Sequence, residues 1–267
     1  IVTDNERRVM ALLALGENPY SFGGIDYIDS IAKSFDGKQF GNDEFINDDI
    51  FALIPLASVG YTEKDEIIRK DISFLIAKQK QNGSWENGVD ITSAAVQGLT
   101  PFSAMTDVST ALRQAKKYLK DTQGNNGDYG SVYSTSWAAQ AMAGLGEEWI
   151  KGGNSPANYL AIQQASDGGA IPSSENLQNR IWATSYAIPA ILKKPWSKIM
   201  RPVEKKEEKK YPEVKEEKKE TRNTKTNLAN KNPATVIDAV SDSTCSEKTK
   251  KEKTNWLTEL LGKIFNL

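Results

Sequence analysis

The chain has 267 residues and a net charge of −1, with 34 Lys and Arg against 35 Asp and Glu. A balance this even argues against a nucleic-acid partner recruited by bulk charge. Histidine is absent and there is one cysteine, Cys245, which excludes Ser-His-Asp and Cys-His nucleophilic sites and any disulfide framework within the chain.

In chain order, MALLALG (Met10 to Gly16) reads as the end of an apolar helix closed by glycine. Asp48 and Asp49 then precede FALIPLASVG, a second apolar helix. Ile67, Ile68, Ile72, Leu75 and Ile76 recur at helical spacing and predict a helix near 63–80. Its end carries F-L-x-x-x-Q-x-x-x-G-x-W: Phe74-Leu75, Gln79, Gly83 and Trp85. A polar loop leads to Thr92-Ser93 and SAAVQGL, which predicts a helix over 93–102. The pattern returns as Tyr118-Leu119, Gln123, Gly127 and Tyr129, then Thr135-Ser136 and SWAAQAMAGL, with helices near 108–120 and 136–145. It returns again as Tyr159-Leu160, Gln164 and Gly168, with Ala170 in the aromatic's place, then Thr184-Ser185 and SYAIPAIL.

From Gln79 to Gln123 and from Gln123 to Gln164 the steps are 44 and 41 residues. A period of this length marks a repeat architecture built from one supersecondary unit. Each unit reads as outer helix, Q-x-x-x-G turn, polar loop and Ala-rich inner helix. The spacing has a packing logic. Glycine allows the positive φ that ends a helix. A glutamine at the turn can bond exposed loop backbone, and an aromatic can cover it. Thr, Ser or Asp at the next helix start can accept from its free N–H groups.

Phe74 to Trp85 resembles the QW repeat of squalene–hopene cyclases, and 5–196 is similar to the prenyltransferase/squalene-oxidase repeat fold. NRIWATSYAIPAILKKPW, Asn179 to Trp196, resembles the closing unit of small bacterial proteins with these repeats. The resemblance implies an all-α fold, an α/α toroid, partial or complete, with inner helices around a centre. Five inner and four outer segments are legible, fewer than complete toroids have, which suits a trimmed piece or an open arc.

Composition changes after Met200. Residues 201–253 are rich in Lys, Glu and polar residues and predict a disordered linker. In 254–267, Trp256, Leu257, Leu260, Leu261, Ile264, Phe265 and Leu267 recur at helical spacing and predict a short amphipathic helix. Such a helix suits docking on the first domain, a protein partner or a membrane surface. The domains are thus 1–200, 201–253 and 254–267. The chain begins without methionine, as a processed chain or a fragment would.

The resemblance raises class II terpene cyclisation, in which the middle aspartate of D-x-D-D protonates an alkene. Here Ile46-Asn47-Asp48-Asp49 stands in that kind of place, with isoleucine for the first acid. The histidine helper is absent and the inner helices are poor in aromatics. Asp48 and Asp49 are therefore candidate catalytic acids, against their reading as exposed, ionised residues at a helix start. The zinc site of protein prenyltransferases, which share the fold, requires a histidine this chain lacks. Asp43, Glu44, Asp48 and Asp49 cluster without a calcium-loop pattern, so no metal and no cofactor is assigned.

The inner-helix starts are expected to gather Asp90, Thr92, Ser93, Ser136, Trp137, Trp182 and Tyr186 at one mouth, as candidate contacts for a small apolar or organic ligand. Gln79, Gly83, Trp85, Gln123, Gly127, Tyr129, Gln164 and Gly168 are expected to be structural. The sequence thus favours a non-catalytic, extracytoplasmic binding or interaction module, the location resting on the resemblance and the tether. A cyclase-like enzyme acting through Asp48 and Asp49, or a purely structural cell-surface domain, are the alternatives.

Overall fold

The computed structural model describes residues 2–171 and 175–206. Its helices are α1 (Val2–Leu15), α2 (Tyr27–Ala32), α3 (Asn47–Ser58), α4 (Glu66–Lys78), α5 (Val89–Leu99), α6 (Thr106–Thr122), α7 (Val132–Leu145), α8 (Pro156–Gln163), α9 (Leu177–Ile191) and α10 (Trp196–Ile199). Among the described residues there are isolated β-bridges but no strand, and no helix is long and apolar enough to cross a membrane. The predicted amphipathic helix at 254–267 and most of the predicted linker lie outside the described residues.

The odd-numbered helices pack in sequence, α1 on α3, α3 on α5, α5 on α7 and α7 on α9. Helices α2, α4, α6 and α8 lie against them from outside, and α4 also meets α6. This is the arrangement of an α/α toroid. Composition explains the layers. Every residue of α5 from Thr92 to Leu99 is buried, and small Ala, Ser and Gly side chains let it sit between two neighbours. On α6 only Val108, Ala111, Leu112, Ala115 and Leu119 are buried, the single apolar stripe of a surface helix.

The repeat motif works as a set of hydrogen bonds. Gln79 follows the last residue of α4, and its Nε2 donates to Gly83 O and to Ala111 O of α6, both at 2.9 Å. One amide thus closes its own turn and ties it to the next outer helix. Trp85 is fully buried; its Nε1 donates to Leu75 O at 2.7 Å and its backbone N–H to Thr92 Oγ1 at 3.0 Å. Gly83 has φ +87°, and a Cβ there would stand 2.3 Å from Gln114 O, so both the turn and the close approach of α6 require glycine.

The second unit is built alike. Gln123 Nε2 donates to Trp149 O at 3.1 Å, and the N–H of buried Tyr129 donates to Thr135 Oγ1 at 2.9 Å. A Cβ on Gly127 would stand 2.2 Å from Ser155 O at the start of α8. The third unit stops short. Ala170 N–H still donates to Thr184 Oγ1 at 3.0 Å, but Gln164 Nε2 reaches only its own turn, at Gly168 O, and nothing lies within 4 Å of a Cβ on Gly168. No further outer helix abuts this turn among the described residues.

Two expectations need correction. The inner helices start before the Thr-Ser pairs, α5 at Val89 and α7 at Val132, so each pair sits a full turn inside its helix. Ser131 caps α7 by accepting from Ser134 N, which frees Thr135 to reach back to the loop amide. The threonine thus accepts from the residue after the turn rather than from the first turn of its own helix.

After α9 the chain returns across the C-terminal ends of the inner helices. Trp196 N–H donates to Gln97 Oε1 of α5 at 3.1 Å, Arg201 N–H to Leu13 O of α1 at 3.0 Å, and Val203 N–H to Ser58 O of α3 at 3.1 Å. Met200 is buried among them. Lys205 pairs with Asp65 and stands 4.1 Å from the Tyr61 ring centre; Lys206 pairs with Asp26 at 3.1 Å. The strap supplies a donor to the helix-end carbonyl of Ser58 and a second donor to that of Leu13, which also accepts from Gly16 N–H. The compact unit ends at Lys206, so the composition change at 200 falls inside the strap.

Trp85→Ala is expected to destabilise the protein by about 3–5 kcal/mol, through the cavity left in the core. Gln79→Ala should cost about 1–3 kcal/mol by leaving buried backbone acceptors unpaired, whereas Gln164→Ala should cost clearly less. Urea denaturation of the three variants checks this ranking, and equal effects of the two glutamine changes would refute the coupling role given to Gln79.

A candidate functional site

The most unusual polar group of the fold is a set of buried carboxyls. Glu6 of α1, Asp49 of α3 and Asp71 of α4 are all fully buried. Asp49 Oδ1 accepts the N–H of Phe40 at 2.8 Å, so Asp49 holds for the first unit the place that threonine holds in the other three. A carboxylate brings a second oxygen that a threonine lacks. Asp49 Oδ2, both oxygens of Asp71 and both of Glu6 have no conventional donor. Desolvation raises the pKa of all three, and neighbouring carboxyls push Glu6 and Asp71 further. Glu6 is pushed up to about 9, by burial first and then by the charges of Asp48 and Asp49, with Arg7 opposing. Asp71 rises well above the carboxylate range, by burial and then by its hydrogen bond to Asp49; that bond lowers Asp49 and so partly offsets its burial. The consistent protonation at neutral pH has Glu6 and Asp71 neutral, with the Asp71 hydroxyl donating to Asp49.

Asp48 differs from its neighbour. It is half-buried at the start of α3, accepts from Thr3 Oγ1, and accepts from Asn42 N at 3.4 Å. Both aspartates lie in the first turn of α3, after the buried N-cap residue Ile46. The expectation that both are exposed fails for Asp49, because α1 and α4 cover it with acids of their own. Glu6 and Asp71 were not singled out in the sequence; each is an acid on an otherwise ordinary amphipathic helix. Among the described residues no group of three Asp, Glu, His or Cys side chains is arranged to hold a metal ion.

The seven residues expected at one mouth separate. Thr92 binds the Trp85 amide. Ser93 is buried and its Oγ has no partner; Ser136 Oγ donates to Val132 O at 2.6 Å, within its own helix. Asp90 and Trp182 are exposed. Trp137 and Tyr186 meet, with ring centres 5.6 Å apart, and Phe51 of α3 lies 5.9 Å from Trp137. Phe51, Trp137 and Tyr186 come from α3, α7 and α9, so their rings meet across the inner layer, Trp137 buried and the other two half-buried. Gln97 and Gln140, buried on α5 and α7, join this interior: Gln97 holds the strap and Gln140 Nε2 donates to Tyr186 O at 3.2 Å. A groove of about 670 Å³, lined by Lys38, Arg69, Lys70, Phe74 and Lys78 among others, contains none of the expected site residues.

The carboxyl cluster gives stability a definite pH dependence. A carboxyl whose folded pKa is raised binds its proton more tightly folded than unfolded, so stability is full below the unfolded value and falls as pH rises towards the folded one. For Glu6 the window runs from the ordinary 4.5 to about 9. Each such group contributes a slope of at most about 1.4 kcal/mol per pH unit within its window. Thermal melts are expected to show greater stability at the acid end than at the alkaline end. Glu6→Gln should flatten the profile and match or exceed the parent on the alkaline side. A parent profile that rises with pH would contradict the protonated cluster.

Residues 46–169 match the family model described as the squalene-hopene cyclase C-terminal domain. No curated protein and no solved structure matches the chain.

Proposed function

On a scaffold whose residues 46–169 form a squalene-hopene cyclase-type repeat domain, we propose a non-catalytic interaction module that works through its outer surface, outside the cytoplasm. The observation that carries this is the contact of Phe51, Trp137 and Tyr186 across the inner layer. Cyclisation of a polyprene needs an enclosed apolar chamber with a proton donor directed into it. Here rings from α3, α7 and α9 pack on one another, neither Asp48 nor Asp49 is among their contacts, and the strap crosses one end of the inner helices.

The acids support the same reading. Asp49 has the raised pKa that a proton donor needs, but its partners are the Phe40 amide and Asp71 of outer helix α4. With Glu6 of α1 beside them, these partners enclose Asp49, which is fully buried and leaves a substrate no exposed face to approach. Asp48 accepts from Thr3 and Asn42 at the protein edge. The extracytoplasmic setting is supported by the resemblance of the closing unit to small bacterial repeat proteins. The apolar spacing of 254–267 supports a further contact, with a membrane surface or protein partner, through that segment.

A purely structural cell-surface domain would share the aromatic contact across the inner layer. The exposed apolar residues of α9 favour an interaction module over it, since contiguous exposed apolar surface marks contact sites. Incubation with squalene and with shorter polyprenes is expected to give no cyclised product by gas chromatography. Cyclised product that disappears in Asp49→Asn, with the variant shown to be folded, would overturn the non-catalytic reading.

A further inference from the structure

Among the described residues, helix α9 is the last of the inner series and has one face uncovered. Leu177 is 70 % exposed, Ile181 43 %, Trp182 54 %, and Ile191 and Leu192 49 % each. Ser185 is exposed and Ile188 half-buried between them. Leu177, Ile181, Ser185, Ile188 and Leu192 follow helical spacing and form one stripe. The opposite side, with Ala183, Ala187 and Ala190, is buried. At the same end of the fold, Gln164 and Gly168 lack the neighbouring-unit contacts that Gln79 and Gly83 make. The stripe is thus the face an inner helix presents to its successor, left without one among the described residues.

The stripe also reads nearly the same in both directions. Reversal about the midpoint between Thr184 and Ser185 exchanges Leu177 with Leu192 and Ile181 with Ile188. It exchanges Glu175 with Lys194, acid with base, and both are exposed. A two-fold axis at that midpoint sets two such helices antiparallel. Leu177 then meets Leu192 of the second copy, Ile181 meets Ile188, and Glu175 meets Lys194 at both ends. Antiparallel helix dipoles favour the same orientation. Small Thr184 and Ser185 side chains sit where the helices cross most closely. A two-fold contact demands a self-complementary patch, and this one is self-complementary in both apolar pattern and charge.

We propose that the α9 stripe is the interface of an antiparallel homodimer. The proposal rests on the interaction-module reading above and names the partner as a second copy of this chain. One helix face lies at the small end of interface sizes, so the dimer is expected to dissociate in the micromolar range.

The test is sedimentation equilibrium of the full chain from about 1 µM to about 1 mM. A concentration-dependent dimer is expected. Ile181→Glu alone and Ile188→Lys alone should each weaken it by at least about tenfold, since each places a charge opposite an isoleucine. An equimolar mixture of these two variants should recover a heterodimer, because the new carboxylate at 181 then faces the new ammonium at 188. Glu175→Lys should weaken the dimer, and adding Lys194→Glu in the same chain should restore it. Circular dichroism confirms that the variants remain folded. A parent that stays monomeric throughout overturns the proposal. A dimer unaffected by both isoleucine changes also overturns it, and failure of the mixture to recover overturns the antiparallel register. None of these outcomes depends on whether a polyprene is cyclised, so the failure of this proposal and the failure of the non-catalytic reading are separable.

Discussion

The fold depends on one hydrogen bond made four times. The amide beyond each turn donates to a side chain inside the next inner helix: Phe40 to Asp49, Trp85 to Thr92, Tyr129 to Thr135, and Ala170 to Thr184. Each bond fixes where the loop meets its inner helix. In the middle units it also seats an aromatic ring in the core, Trp85 and Tyr129. A buried amide left unpaired is costly, so the acceptor cannot be dispensed with. It can be varied, and the first unit varies it by using a carboxylate.

That variation accounts for the carboxyl cluster. Threonine satisfies the loop amide with one oxygen. Asp49 does so with one of two, and the second lies in an interior where Asp71 and Glu6 also stand. Three buried acids without a cation can coexist only if most stay protonated. The cluster thus has the protonation of a catalytic acid with the location of a packing device. A raised pKa by itself identifies an unusual environment; whether a substrate can approach depends on which layer the group faces.

The aromatic contact across the inner layer and the uncovered face of α9 have a common structural origin. Five inner helices placed side by side bring Phe51, Trp137 and Tyr186 together, and the strap ties α1, α3 and α5 at one end. Cohesion passes from unit to unit through contacts such as Gln79 to Ala111. Among the described residues that linkage stops at the third Q-x-x-x-G turn, and α9 presents apolar side chains outward. The surface left by an interrupted series is where this scaffold has most to gain from a partner.

The sequence by itself determined the helical class, the repeat and the order of outer and inner elements. Its periodicity is local: Gln79, Gly83 and Trp85 act within one turn, and the apolar spacing of α4 and α6 sets their buried faces. It placed Asp48 and Asp49 at a helix start for the same reason. Tertiary structure alone decided what those residues do. Glu6, Asp49 and Asp71 come from three helices, and no spacing rule relates them. Trp137 and Trp182 both follow from inner-helix sequences, yet one is buried at the centre and the other exposed on the outside. A helix pattern states which residues share a face; which neighbour covers that face depends on how many helices precede and follow in the ring. The threonines sit a turn deeper than expected for a related reason, since their partner is an amide of the preceding loop rather than of their own helix.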